Sequence, residues 1–174
     1  PFDMPRFEGI EPMIAGCVEI TGKINGVVHS AGTEITKPLK VTSQQDIQQV
    51  MDINAVAALH LVKASTKAKY SEVLSIVLIS SVMAMVGNKA LSVYAMSKGA
   101  LNSAARSLAM EYAGKGIRIN TVSPGHLQDT GMALSDNASI SQEAAKALLN
   151  RYPLGPGYTS DVANACSFLI SNAA

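Results

Sequence analysis

The stretch Ile76-Val77-Leu78-Ile79-Ser80-Ser81-Val82-Met83-Ala84-Met85-Val86-Gly87-Asn88-Lys89-Ala90-Leu91-Ser92-Val93-Tyr94-Ala95-Met96-Ser97-Lys98 decides the fold. The apolar, mostly β-branched run Ile76 to Ile79 reads as a buried strand that ends in two serines. A loop containing Gly87 follows, and a helix starts near Ser92. On that helix Tyr94 and Lys98 stand four residues apart, with Cβ atoms roughly 5–6 Å apart on one face. A phenol with a pKa of about 10 is a poor acid or base at neutral pH, but a neighbouring ammonium favours the phenolate. Lys98 is therefore expected to lower the pKa of Tyr94, and Ser81, at the strand's carboxyl end, is set to polarise the same substrate oxygen. Each residue also fits a plainer role, as a lysine snorkelling along an amphipathic helix or as serines that stop a strand.

Downstream, the helix runs from Ser92 to about Ala113, with Val93, Met96, Ala100, Leu101, Ala104 and Leu108 predicted on its packed side and Gly114 and Gly116 ending it. Its many small residues suit close packing, within the chain or against a second subunit. Ile117 to Val122 alternates as a strand, and Ser123-Pro124-Gly125 breaks it. Leu127 to Ala138 reads as a loop able to close over a ligand. A short helix follows from Ser139 or Ser141 to about Arg151, then a loop from Tyr152 to Thr159. A last helix opens at Ser160-Asp161 and carries Val162, Cys166, Leu169 and Ile170.

Upstream, Phe7 to Gly22 is a helix packed by Ile10, Ile14, Cys17 and Val18, with Pro12 tolerated near its start. Gly26 to Gly32 is a short buried strand running into a turn of small residues, which fits a plain turn or a place where a ligand approaches the backbone. Thr42 to Gln45 is a capping box that announces a helix to about Lys69, with Ile47, Val50, Met51, Ala57, Leu61 and Ala64 as its stripe. Within it, Asn54 either bridges backbone groups at an irregular turn or holds an ordered water beside the lysine.

Strands that alternate with helices and are almost continuously apolar indicate a parallel sheet covered on both faces. Ligands in such folds bind at the carboxyl ends of strands, where Ser30 to Gly32, Ser80 with Ser81, and Pro124 with Gly125 converge. The chain has 174 residues, 48% of them hydrophobic, which suffices for one domain with a core. A net charge of +1, 5% aromatics and no tryptophan argue against a nucleic-acid surface. His29, His60 and His126 lack ligand spacing, so no metal is expected. Cys17 and Cys166 read as buried thiols of a reducing compartment. No apolar run approaches a membrane span, and a cytoplasmic setting is expected. The sequence opens on Pro1, from which a piece of a longer protein is expected.

His29-Ser30-Ala31-Gly32, Asn54, Ser81, Tyr94-x-x-x-Lys98 and Pro124-Gly125, in that order, resemble the short-chain dehydrogenase/reductase family. The resemblance implies an α/β, Rossmann-like doubly wound parallel sheet forming a single, partial dinucleotide-binding domain over residues 1–174. It implies hydride transfer between NADP or NAD, with NADP favoured, and a carbonyl or secondary alcohol. Tyr94 would be the general acid in reduction, Lys98 would tune it and bind the nicotinamide ribose, Ser81 would orient the substrate and Asn54 would anchor a proton-relay water. Asp3, Ser30, Ala31, Gly32, Pro124 and Gly125 would line the cofactor.

Ser30 stands where the family often has an asparagine, and Asp129 stands where it commonly has a threonine, with Thr130 one place later. The family's glycine-rich phosphate loop and last strand are missing from the sequence, so the sheet is expected to be incomplete at both ends. A chain of these residues alone is expected to bind dinucleotide poorly. The branch most resembled is 3-oxoacyl-[acyl-carrier-protein] reductase, with Lys37, Lys40, Lys63, Lys67 and Lys69 as a docking face for an acidic carrier. Alternatives are another alcohol, steroid or sugar dehydrogenase of the family, or a non-catalytic remnant acting as an interaction module. A homodimer or homotetramer through the helices holding Asn54 and Tyr94 is expected.

Overall fold

A computed structural model of the chain describes residues 3–131 and 142–174. Three parallel strands form its sheet in the order β1 (Ile24–His29), β2 (Ser71–Ile79), β3 (Arg118–Val122). β2 is central because Leu74, Ile76, Val77 and Leu78 are all 1% exposed or less, a burial that only a strand covered on both faces achieves. Pairing is in register from Gly26↔Ser75 to His29↔Leu78 and from Ser75↔Arg118 to Ile79↔Val122, so the three carboxyl ends finish together.

Helices cover both faces. On one side α3 (Ala57–Ser65) and α4 (Ser92–Tyr112) pack Ala58, Val62, Leu101 and Ala105 against Leu74, Ile76, Leu78 and Ile119. α1 (Ile10–Thr21) leans on α3 through Ile10, Ile14, Leu61 and Ala64. On the other side lies α6 (Thr159–Ile170), whose Leu169 carbonyl accepts hydrogen bonds from Ser75 Oγ at 2.7 Å and Arg118 Nη1 at 2.9 Å. α2 (Gln44–Met51) and α5 (Gln142–Leu149) complete the helices described here. This is the two-sided parallel sheet expected from the strand pattern, and among the described residues β1 is paired on one side only.

Several boundaries differ from the sequence reading. α2 is capped one residue later than Thr42: Ser43 Oγ accepts from Asp46 N at 3.1 Å, and the Asp46 carboxylate accepts from Ser43 N at 2.9 Å. Asp46 also pairs with Lys37 at 2.8 Å, a charge partner that Gln45 does not offer. The helix expected to reach Lys69 is broken by a π-helical turn at Asp52–Val56 and ends at Ser65, and β2 begins at Ser71, ahead of the apolar run that starts at Ile76.

The inward face of α4 consists of Val93, Tyr94, Ser97, Lys98, Leu101 and Ala105. Met96 is 49% exposed, because the polar Tyr94, Ser97 and Lys98 take the inward positions that an apolar count assigns elsewhere. Cys166 is buried as expected, but Cys17 is exposed, since α1 turns only Ile10 and Ile14 fully inward. Ser139, Ser141 and most of the expected loop from Leu127 to Ala138 lie outside the described residues.

Candidate active site

β2 leaves the sheet at Ile79, and its end is tied down on two sides. Ser80 N donates to Val122 O of β3 at 2.7 Å, and Ser80 Oγ donates to Lys98 O of α4 at 3.1 Å. Ser81 stays extended and its Oγ accepts from Met83 N at 3.2 Å, capping a short 3-10 turn. Val82 N donates to Pro124 O at 3.0 Å, which holds Pro124 and Gly125 beside the serine.

From α4, Tyr94 and Lys98 turn toward the same place, with Lys98 Nζ 5.7 Å from the Tyr94 ring centre. Lys98 is 4% exposed and donates to Ile79 O at 2.8 Å, and burial pulls its pKa down to about 8. Burial pushes the Tyr94 phenol above its ordinary value, the Ser81 hydroxyl draws it back down, and the charge of Glu34 pushes it up again. The expected lowering by Lys98 does not govern Tyr94: loss of solvation leads, and the ammonium is directed at the Ile79 carbonyl. In this state the phenol holds its proton at neutral pH.

Asn54 sits at 0% exposure in the π-helical turn, a feature frequent at functional sites. Its Oδ1 accepts from Thr33 N at 2.8 Å, and its Nδ2 donates to Thr33 O and Ser97 Oγ, both at 2.9 Å. Ser97 Oγ in turn donates to Tyr94 O at 2.7 Å. The Asn54 side chain thus pins the loop after β1 to α4, which is the backbone-bridging role. That loop must pass close by: a Cβ on Gly32 would lie 3.3 Å from Lys98 Nζ and 3.4 Å from Asn54 Oδ1.

The sequence-predicted residues Ser30, Gly32, Ser81, Tyr94, Lys98, Pro124 and Gly125 line one cleft of about 990 Å³ at the carboxyl ends of the strands. Asn54 lies behind its wall, Ala31 is outside the lining, and Asp3 is exposed with its carbonyl accepting from Arg6 N at 3.0 Å. Among the described residues no cluster of three His, Cys, Asp or Glu could hold a metal ion.

Sequence reasoning missed the opposite wall, made by Val162, Ala163, Cys166 and Ile170 of α6. Their helical spacing was legible, but it reads equally as an ordinary core stripe. Thr130 faces the cleft, while Asp129 turns away and caps α6, accepting from Thr159 N at 2.9 Å and Thr159 Oγ1 at 2.7 Å. That placement suits an acid at a helix N-terminus, and the Thr159 hydrogen bonds hold its pKa down.

At Gly125 a Cβ would stand 2.8 Å from Tyr152 Cε1. Gly125→Ala is expected to cost about 1–2 kcal/mol by overpacking, and most of that loss should vanish in a Tyr152→Ala background. Equal losses in both backgrounds, measured by chemical denaturation, would contradict the contact.

The cleft and the residues in it suit the nicotinamide and ribose portion of a dinucleotide. The glycine at position 32 lets the main chain run close to a buried ammonium, and the volume is at the upper end for small-molecule sites.

A family model described as enoyl-(acyl carrier protein) reductase matches residues 1–174. A tropinone reductase homolog of Arabidopsis thaliana is 35% identical over 151 residues, covering 86% of this chain and 56% of its own length. The inactive 2-(S)-hydroxypropyl-CoM dehydrogenase 2 of Xanthobacter autotrophicus is 32% identical over 181 residues, covering 99% of this chain and 76% of its own. The solved structure of ElxO with NADP bound has a TM-score of 0.87 at 26% identity, over 98% of this chain and 69% of its own. The chain spans about half the length of the first of these curated relatives.

Proposed function

The chain belongs to the short-chain dehydrogenase/reductase family, and from that premise we propose that it carries the catalytic portion of an NAD(P)-dependent oxidoreductase acting on a carbonyl or secondary alcohol. The observation that carries this reading is the gathering of Ser81, Tyr94 and Lys98 in one cleft at the strand ends. NAD(P)H, when bound, supplies the hydride. Ser30, Gly32, Pro124, Gly125 and Thr130 would hold its nicotinamide half against the sheet edge, and Lys98 would donate to its ribose.

In reduction, Ser81 Oγ donates a hydrogen bond to the substrate oxygen. Tyr94, kept protonated by burial, gives its phenolic proton to that oxygen as negative charge develops there. Lys98 then faces a phenolate and stabilises it by charge. Asn54 keeps the loop after β1 and the start of α4 at a fixed separation, and a relay water beside it belongs to the same proposal. Residues 1–174, a partial dinucleotide-binding domain, carry the groups for these steps in this proposal. Asp3, outside the cleft lining, belongs near the adenine in this proposal, and Ala31 with the cofactor-lining turn after β1.

Two finer readings concern the substrate. A 3-oxoacyl-[acyl-carrier-protein] substrate would need a basic docking face. Lys37 is engaged by Asp46, and Lys67 and Lys69 share Glu11, which leaves less charge to offer an acidic carrier. A free small ketone, of the kind the names of the tropinone reductase homologs suggest, fits the partly apolar cleft without a docking step. Leu59, Met96 and Met110 on the outer faces of α3 and α4 are exposed, which supports a second copy of the chain as partner. No helix among the described residues is long and apolar enough to cross a membrane, and a cytoplasmic setting is part of the proposal.

The test is NAD(P)H oxidation by the full-length protein with a cyclic ketone and with a 3-oxoacyl thioester, alongside its intact mass. Turnover of the ketone alone favours the free-substrate reading, and turnover of the thioester alone favours the carrier-linked one. No oxidation on any carbonyl would turn the reading toward a non-catalytic member, as the inactive dehydrogenase relative is named.

A further inference from the structure

His29 closes β1, and alternation sends its side chain to the face of Val27, which packs against the core beneath α3 and α4. Val28, between them, points the other way and lines the cleft. The imidazole is 2% exposed, and neither Nδ1 nor Nε2 has a hydrogen-bond partner. A neutral imidazole carries one donor and one acceptor, and each left unmade in a buried site costs about 1–3 kcal/mol. Two unmade bonds on one ring call for a partner.

The direction of that partner is set by Lys98. Burial first, and then the charge of Lys98, outweigh the opposing pull of the residue's own backbone and hold the His29 pKa at about 4, so the ring is neutral at neutral pH. Lys98 on α4 is the charged group whose field reaches His29, and the 52–56 turn contributes the uncharged amide of Asn54. An ammonium has three donors, and the bond to Ile79 O uses one. The strand ladder brings the two groups to one end of the sheet, since His29 pairs with Leu78, the residue before the Ile79 whose carbonyl holds Nζ. Polar groups that share a buried region without touching are commonly joined by an internal water.

We propose that His29 holds an internal water shared with Lys98, and so acts as a positioning residue for the lysine. The water accepts a hydrogen bond from Nζ and donates one to the unprotonated ring nitrogen, which fixes both the Nζ direction and the imidazole tautomer. By accepting from Nζ it favours the ammonium, so its loss lowers the Lys98 pKa further. The consequence for turnover rests on the reductase reading; the water and its effect on Lys98 do not.

The test uses full-length protein carrying His29→Leu, which removes both ring nitrogens, and His29→Asn, which keeps a polar partner for the water. Lys98 is titrated by NMR of its ε-methylene, assigned with Lys98→Met. His29→Leu is expected to lower the Lys98 pKa by about half a unit or more, and His29→Asn to restore most of it. A high-resolution crystal structure of the wild type is expected to show a water within hydrogen-bond distance of both groups. If His29→Leu does not fold, the wild-type imidazole 15N spectrum takes its place, with one ring N–H slow to exchange as the supporting result and a fast-exchanging ring as the opposing one. An unchanged Lys98 titration in His29→Leu, or a dry gap in the crystal, overturns the proposal. Turnover is followed in parallel: a wild type without activity would sink the reductase reading while the Lys98 shift still stood.

Discussion

Tyr94→Phe is expected to lower kcat of the full-length protein about 10³-fold while changing the cofactor Kd by less than about threefold. In the proposed mechanism Tyr94 is the source of the proton delivered to the substrate oxygen, and general acids contribute roughly 10²–10⁴-fold to rate. The fold should tolerate the change, since the ring is retained and Tyr94 is 8% exposed among apolar and serine neighbours. Burial is what holds the phenol's proton, so the wild-type rate of reduction should fall first as Lys98 loses its charge near pH 8 and again as the phenol ionises in more alkaline solution. A Tyr94→Phe protein that reduces its ketone at the wild-type rate would assign the acid to another group.

The two-sided parallel sheet and the gathering of Ser30, Ser81 and Pro124 at one edge of it were legible because each rested on a local rule. The run Ile76 to Ile79 could be buried only as a strand covered on both sides, and small or polar residues after each strand marked the ligand edge. The inward face of α4 was not legible, because periodicity counts apolar residues and this helix turns Tyr94, Ser97 and Lys98 inward. The sign of the Tyr94 shift was missed for a related reason. Sequence spacing brings an ammonium near a phenol but does not tell how much water both have lost, and here that loss decides the outcome. Asn54 was legible as an amide at an irregular turn of the helix, while its partners Thr33 and Ser97 come from distant parts of the chain.

Lys98→Met is expected to abolish most turnover and, independently, to change how stability depends on pH. The folded-state pKa of Lys98 is about 8, below the 10.5 of an unburied lysine. Between those values the unfolded chain binds more protons than the native one, so the wild type gains stability as pH rises through that window. Below pH 8 the cost of burying the ammonium is present in full, and above 10.5 it has gone. The whole swing is about 3 kcal/mol, at 1.36 kcal/mol per unit. Tyr94 adds an opposite trend above pH 10, because its raised pKa lets the unfolded chain lose that proton first. Subtracting the stability of Lys98→Met from that of the wild type at each pH removes the Tyr94 trend to first order. The difference should climb between pH 8 and 10.5 in urea unfolding experiments. A flat difference would mean that Nζ is solvated well enough to keep its ordinary pKa, and the lysine would then be an ordinary surface cation. A climbing one would mean that the fold tolerates a buried charge at neutral pH, a cost that nothing in the packing of α4 demands and that the proton-transfer role proposed for Lys98 beside Tyr94 would explain.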